Sequence, residues 1–193
     1  NGDYYVIVLA PNSVQEMADM TAKCFDLSDK YRVPAMILAD GTMGQMMEPV
    51  VLPEPVDYCK EKDWAVTGTK GKRKHNIINS LYLKPEALER MNFERFERYK
   101  QIEENECIYE EFMMGDAEIC VTAFGIASRV SKNAIMMARE QGIKVGMIRP
   151  ITLYPFPKKS LDGLDYDKVK GIIDIEMTIP AQMRDDIELQ GKG

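Results

Sequence analysis

Hydrophobic positions along the chain alternate between short unbroken apolar runs and longer stretches with a helical repeat. The first run, residues 4–10, is rich in β-branched and aromatic residues, as is typical of a buried parallel strand. Ser13 and Glu16 then form a capping box, which predicts a helix that ends near Tyr31. A second apolar run follows at 34–39. Strand, helix and strand in this order predict a βαβ unit.

The middle of the chain has a different pattern. Residues 49–86 contain four prolines and a polar, basic stretch at 67–75, which argue against long regular elements there. Residues 86–112 then carry aromatic side chains at helical spacing, which predicts one long helix with an acidic end.

Beyond residue 115 the alternation of strand and helix resumes. Apolar runs predict three strands, at 117–123, 143–148 and 169–175. Helical periodicity between them, and again at 181–189, predicts the connecting helices. The predicted fold class is therefore α/β, with two parallel-sheet blocks. The predicted domains are 1–50, a connecting segment with a long helix at 51–114, and an α/β domain at 115–193.

Composition excludes several classes of function. The 193 residues carry a formal net charge of -6, which disfavours non-specific electrostatic binding of nucleic acid. No apolar run approaches the ~20 residues of a membrane span. With one histidine and no C-x-x-C pair, the sequence predicts no metal site. Four cysteines without a disulfide framework fit a reducing cytosol.

Because Asn1 leads directly into a strand pattern without a starting Met, we expect a piece of a longer polypeptide.

Candidate ligand-binding residues lie at the predicted carboxyl ends of strands, where open parallel sheets bind ligands. The small residues Gly125 and Ser128 begin a helix whose amides could bind an anion, although a plain βα turn is the commoner reason for such residues. Arg149 could hold a carboxylate or phosphate, or form an ion pair with Glu176 or Asp174.

Other candidates have ordinary explanations as well. Gln182 lies near acidic residues that could favour the dipole of the last helix or do acid/base work. Asp40 precedes Gly41, and the two could lie close to a diphosphate or a metal ion. They could equally form an ordinary turn. The basic residues 70–74 could meet nucleotide or coenzyme A phosphates, or form a solvated loop. No nucleophile–base pair emerges, so no catalytic residue is predicted.

Several segments together resemble one family. Leu-Ala-Pro-Asn-Ser-Val-Gln-Glu-Met at 9–17 and Arg-Pro-Ile-Thr-Leu-Tyr-Pro-Phe-Pro at 149–157 resemble the alpha subunit of 2-oxoacid:ferredoxin oxidoreductases. Segments 64–68 and 76–83 are most similar to the 2-oxoisovalerate (2-ketoisovalerate) member.

The resemblance implies an arrangement and a chemistry. Residues 1–50 would be the C-terminal part of a thiamine-diphosphate pyrimidine-binding domain, and 115–193 a domain similar to the transketolase C-terminal domain. The whole enzyme would oxidatively decarboxylate a branched-chain 2-oxoacid to its acyl-CoA and reduce ferredoxin. Alternatives are the same chemistry on 2-oxoglutarate or pyruvate, or a non-catalytic interaction or regulatory module.

The resemblance also implies cofactors and partners. Thiamine diphosphate, Mg, a [4Fe-4S] cluster and coenzyme A would belong to the whole complex, and none is expected to bind this fragment alone, which we predict to be inactive. A beta subunit would carry thiamine diphosphate and the iron–sulfur cluster, beside gamma and delta-type subunits and ferredoxin. Nucleic acid and membrane partners are not expected, and the predicted location is the cytoplasm.

Overall fold

The computed structural model describes residues 4–55 and 62–191. Contacts divide the chain into two compact units, Asn1–Pro53 with Arg98–Gly193, and Glu54–Glu97. Its strands are β1 (Ile7–Leu9), β2 (Ala35–Ile37), β3 (Tyr109–Phe112), β4 (Ile119–Ala123), β5 (Val145–Pro150), β6 (Thr152–Tyr154) and β7 (Gly171–Ile175). Its helices are α1 (Val14–Tyr31), α2 (Gly41–Gln45), α3 (Pro85–Asn105), α4 (Gly125–Glu140), α5 (Lys158–Asp162) and α6 (Met183–Gln190).

The first sheet has the strand order β2-β1-β6. Strands β1 and β2 run parallel and are joined by α1, so the predicted βαβ unit is confirmed. The third strand, β6, runs antiparallel to β1 and comes from the far end of the sequence. This three-residue strand was not predicted, because so short a segment has no detectable periodicity and its partner is remote in sequence.

The second sheet has the order β3-β5-β4-β7. Strand β4 runs parallel to both β5 and β7, as predicted, whereas β3 is antiparallel to β5. The prediction of one helix over 86–112 is wrong beyond Asn105, where α3 ends. Glutamates crowd this end, where the helix dipole disfavours negative charge, and residues 109–112 pair with β5 instead.

Both faces of the second sheet are covered. Helix α4 packs Ile135 against Val121 and Met147 on one side, and α6 packs Met183 and Ile187 on the other. Strand β5 is buried at every position, as expected of a central strand between two layers of helices. The first sheet packs against α1 and the C-terminal part of α3.

The unit 54–97 is simpler. Its described residues before α3, 54–55 and 62–84, contain no helix or strand. A loop within them is closed at the Ala65 carbonyl, which accepts hydrogen bonds from Arg73 Nη2 at 2.8 Å and Asn76 Nδ2 at 3.1 Å. Over the described part of the chain, the helices fall short of the length and apolar content that crossing a lipid bilayer requires.

Candidate functional site at the strand ends

A cavity of about 220 Å³ lies at the carboxyl ends of β2, β4 and β7. Its walls are segments 38–40, 124–127 and 176–178, so both sheets contribute to it. The lining is mainly apolar, with the carboxylates of Asp40 and Glu176 and the Thr178 hydroxyl among its members. This is the edge where ligand sites of open parallel sheets occur, so the cavity is the candidate binding site.

Gly125 is placed in this cavity by the turn between β4 and α4. Its backbone is left-handed, with φ of 56°, which glycine adopts without steric cost. Phe124 precedes it as the N-cap and provides no side-chain hydrogen bond to the helix. The first amides of α4 therefore lie beside the cavity without a side-chain cap, as the sequence predicted for this turn.

Ser128 lies beneath that turn and is fully buried. Its hydroxyl donates to the Gly125 carbonyl at 2.7 Å and accepts a hydrogen bond from Asn12 Nδ2 at 3.3 Å. The side chain thus fixes the turn and joins it to the loop before α1, rather than facing the cavity.

Arg149 is 1% exposed and forms a buried ion-pair network. Its guanidinium binds both carboxylate oxygens of Glu16, and Nη1 also lies 3.2 Å from Glu110 Oε2. The predicted ion pair exists, but Glu176 and Asp174 as its partners are wrong. Asp174 is on β7, two strands from β5 and therefore roughly 10 Å away, whereas Glu110 is directly opposite Arg149 on β3.

Glu16 has a second role at the start of α1. Ser13 is the N-cap and accepts the Glu16 amide at 3.1 Å, as the capping box predicted. The Glu16 carboxylate reaches back to the Asn12 amide at 2.8 Å, one residue before the N-cap. Burial would raise the pKa of Glu16, but its bonds from Arg149 and Asn12 outweigh that effect and the pKa is lowered.

A further bridge between α1 and α4 was missed from the sequence. Glu48 Oε2 accepts the Val14 amide at 3.0 Å, and Glu48 Oε1 lies 2.6 Å from Arg129 Nη2. Hydrogen bonds from Arg129 and from the Val14 amide lower the pKa of Glu48. Glu48 follows α2 in a segment without regular structure, so no periodicity could reveal it.

Asp174 and Glu176 form a carboxyl pair at the end of β7. Thr122 Oγ1 donates to Asp174 Oδ1 at 3.2 Å, and Asp174 Oδ2 is buried without a hydrogen-bond partner. Burial, followed by the interaction with Glu176, raises the pKa of Asp174 to about 7. Burial opposes ionisation of Glu176 as well, but its interaction with the neutral Asp174 carboxyl and its hydrogen bonds from the Thr178 hydroxyl and the Met183 amide lower its pKa.

Glu176 also organises the loop before α6. Its Oε1 accepts the Met183 amide at 2.7 Å and its Oε2 accepts the Thr178 hydroxyl at 2.9 Å. This arrangement matches the interpretation that acidic residues here stabilise a helix start. Gln182 is exposed at the N-cap of α6 and its side chain makes no capping bond.

Two family models match the chain. The model for pyruvate flavodoxin/ferredoxin oxidoreductase, thiamine diphosphate-binding, covers residues 2–115, and the model for pyruvate:ferredoxin oxidoreductase core domain II covers 117–192. The chain belongs to the pyruvate flavodoxin/ferredoxin oxidoreductase family. The first match alone spans more than half of the chain, so the resemblance seen in the sequence is confirmed.

Individual members of this family are similar over nearly the whole chain. A ketoisovalerate oxidoreductase subunit VorB from Methanothermobacter marburgensis is 48% identical over 190 residues, which are 98% of this chain and 53% of that relative. The VorB subunit from Methanothermobacter thermautotrophicus is 46% identical over the same shares. A 2-oxoglutarate synthase subunit KorA from Methanocaldococcus jannaschii is 33% identical, over 88% of this chain and 52% of the relative. The chain thus spans about half the length of these curated relatives.

The fold also occurs in a solved structure of the family. The 2-oxoglutarate:ferredoxin oxidoreductase from Magnetococcus marinus, with 2-oxoglutarate, coenzyme A and succinyl-CoA bound, matches with a TM-score of 0.77 at 20% identity. The match covers 100% of this chain and 38% of that chain. At this identity the likeness supports the α/β fold.

The lining of the strand-end cavity does not fit the diphosphate and magnesium of a thiamine cofactor. The helix N-terminus at the cavity, which would favour an anion, is flanked by the carboxylates of Asp40 and Glu176. Residues 4–55 and 62–191 hold no group of three metal-ligating side chains. The cavity of this family member is therefore suited to an apolar group rather than to a phosphate.

Proposed function

We propose that the chain is part of the alpha subunit of a thiamine-diphosphate-dependent 2-oxoacid:ferredoxin oxidoreductase that converts 2-oxoisovalerate to its acyl-CoA. The observation that carries this proposal is the 48% identity to a ketoisovalerate oxidoreductase subunit over 98% of the chain. Identity falls to 33% for the 2-oxoglutarate synthase subunit, which favours a branched-chain acid over 2-oxoglutarate.

The chain's role in this proposal is to supply part of a shared site. Residues 1–50 contribute to the pyrimidine-binding domain, 51–114 connect, and 115–193 form the transketolase-like domain. Gly125 and the start of α4 line the strand-end cavity, and Ser128 fixes the turn that forms one of its walls. Arg149 joins β5 to α1 and β3, and Gln182 lies at the start of α6, after the Glu176 loop. The misfit of the cavity to a diphosphate supports a beta subunit as the carrier of thiamine diphosphate, magnesium and the iron–sulfur cluster.

The rest of the proposed assembly follows from the same family membership. Gamma and delta-type subunits complete the complex, coenzyme A accepts the acyl group, ferredoxin accepts the electrons, and the complex works in the cytoplasm. In this scheme the 193-residue chain has no turnover of its own.

The experiment compares this chain alone with the complex assembled from full-length subunits. Each is supplied with 2-oxoisovalerate, coenzyme A, thiamine diphosphate and magnesium, and viologen reduction is followed. We expect turnover from the complex and none from the chain alone. Circular dichroism checks that each sample is folded. Turnover by the chain alone would refute the shared site, and an inactive complex containing its cluster would refute the proposed activity.

A further inference from the structure

Two walls of the strand-end cavity are connected to each other through Glu48. One wall, residues 38–40, leads directly into α2, whose Met43 is 1% exposed and anchors that short helix in the interior. Glu48 follows α2, and its Oε1 lies 2.6 Å from Nη2 of Arg129 on α4. The start of α4 forms the second wall, residues 124–127. The pair of Glu48 and Arg129 therefore links the helix that follows one wall to the helix that begins at the other.

The segment that carries Glu48 is also fixed to the start of α1. Glu48 Oε2 accepts the amide of Val14, the first residue of α1, at 3.0 Å. An amide at this position has no acceptor within its own helix, and the helix dipole favours a carboxylate beside it. Gln15 exchanges two hydrogen bonds of 2.8 Å with the backbone of Val51, donating one and accepting the other. The Glu48 carboxylate is therefore held in a defined place between α1 and α4.

A second link runs from Arg129 to the turn that lines the cavity. Arg129 Nη1 donates to the Asn12 carbonyl at 3.5 Å. Asn12 Nδ2 donates to the Ser128 hydroxyl at 3.3 Å, and that hydroxyl donates to the Gly125 carbonyl at 2.7 Å. Hydrogen bonds thus connect Glu48 to the Gly125 turn without a break, through Arg129 and the loop before α1.

The exposure of this ion pair separates local order from global stability. The side chains of Glu48 and Arg129 are 23% and 43% exposed, and pairs this accessible to water contribute little to the free energy of unfolding. Short elements such as α2 and the first turn of α4 can open while the rest of the fold stays intact. Loss of the pair should therefore loosen the cavity walls more than it destabilises the chain.

We propose that Glu48 is a positioning residue that fixes the 38–40 and 124–127 walls of the strand-end cavity relative to each other. Glu48 lies outside the lining of the cavity and acts on it through Arg129 and α2. The consequence for catalysis rests on the proposed function, in which this cavity is part of the shared site.

Three backbone amides report on the two walls. The amides of Met43 and Gly44 donate to Asp40 at 2.9 and 3.1 Å, and the Ser128 amide donates to the Phe124 carbonyl at 3.3 Å. Asp40 and Phe124 both line the cavity. Exchange of these amides with deuterium, resolved by NMR, therefore measures how often each wall opens.

Hydrogen exchange in the 193-residue chain tests the positioning without any ligand. In Glu48→Ala, the three amides should exchange about tenfold faster than in the wild type, because both walls lose their link. Glu48→Gln keeps an oxygen for the Val14 amide but loses the charge, so its increase should be smaller. Strand β5 should keep its protection, and the urea midpoint should stay close to that of the wild type.

Glu118→Gln is the matched control for these variants. Glu118 is also a glutamate with two partners, since it pairs with Lys144 and Lys170, but it lies at the amino end of β4. This substitution should leave the exchange of the three amides unchanged. Adding Arg129→Ala to Glu48→Ala should add little to the effect at the Ser128 amide, because the two side chains form one link.

The assembled complex shows whether the positioning matters for the reaction. With Glu48→Ala in the full-length subunit, the KM for 2-oxoisovalerate, thiamine diphosphate or coenzyme A should rise by about tenfold, with kcat and cluster content within about twofold of the wild type. A loss of folded enzyme has a different signature, because it lowers kcat and leaves every KM unchanged.

The proposal is overturned if the three amides exchange in Glu48→Ala as they do in the wild type. It is equally overturned if all protected amides exchange faster together, which would show global destabilisation, or if every KM of the variant complex keeps its wild-type value. An inactive wild-type complex would refute the proposed function instead, and the exchange rates would still decide whether Glu48 positions the walls.

Discussion

At the scale of single residues, Arg149 on β5 is one of the links between the two sheets of this unit, through Glu16 on α1 and the Ala10 carbonyl. Its charge is buried, so it is stable only while Glu16 and Glu110 remain beside it. Sequence reasoning could identify Arg149 as a residue needing an anionic partner. It could not identify Glu16 as that partner, because the two are 133 positions apart and no local pattern links them.

Glu16→Gln should therefore destabilise the chain. Glu16 is partly exposed and Glu110 remains, so we expect the free energy of unfolding to fall by about 2 kcal/mol, below the full cost of breaking a buried pair. Lys170→Gln, which removes an exposed pair with Glu118, is the control and should cost less than ~1 kcal/mol. Urea unfolding measures both, and equal effects would contradict the role of Glu16.

Asp174 should make stability depend on pH. Because its folded pKa of about 7 lies above the ordinary aspartate value of 3.8, the folded state binds a proton more tightly than the unfolded state does. Its contribution to stability is therefore present at low pH and is lost as pH rises from about 4 to about 7. Glu176 has a lowered pKa and acts in the opposite direction, below its ordinary pKa of 4.5.

Thermal unfolding of the wild type and Asp174→Asn at pH 5 and pH 8 isolates this effect. The wild type should lose more stability than the variant between the two pH values. An equal loss in both proteins would show that the Asp174 proton does not contribute.

At the scale of secondary-structure elements, the sequence predicted what local periodicity encodes and missed what remote pairing decides. The sequence predicted two helices and three strands close to their observed positions, from apolar spacing and from Ser or Gly residues at their ends: α1, α4, β4, β5 and β7. Strands β3 and β6 form only because β5 and β1 offer them partners. Helix α2 was read as a turn, because Asp40 before a glycine fits both a turn and the helix cap it forms with the Met43 amide.

Glycine substitutions should separate steric from conformational costs in these elements. In β5, a Cβ on Gly146 would lie 2.6 Å from the Met113 carbonyl oxygen, so Gly146→Ala should cost about 3 kcal/mol. Gly125→Ala meets nothing closer than 3.8 Å and should cost about 1–2 kcal/mol for its left-handed backbone.

Gly171→Ala serves as the control, because no atom lies within 4 Å of its added Cβ. Urea unfolding should rank the costs as Gly146, Gly125 and Gly171. A Gly146 variant as stable as the control would mean that β5 and the segment before β4 are not packed as described.

At the scale of the whole molecule, sequence composition led to the prediction that this chain holds no catalytic residue. One histidine, few cysteines and no nucleophile–base spacing left strand-end loops as the candidates. The structure brings Gly125 and Glu176 to one cavity and assigns Ser128 and Arg149 to internal bonds. Which loops meet depends on how two sheets pack, and no spacing in the sequence encodes that.

The substrate profile of the assembled oxidoreductase tests the central claim most directly. The measurement is kcat/KM for 2-oxoisovalerate, 2-oxoglutarate and pyruvate with coenzyme A and ferredoxin, using the full-length subunit with its partners. We expect 2-oxoisovalerate to be preferred by about a hundredfold or more, the range that pocket contacts to a few methylenes and a rejected charge provide. A higher kcat/KM for 2-oxoglutarate or pyruvate would contradict the account.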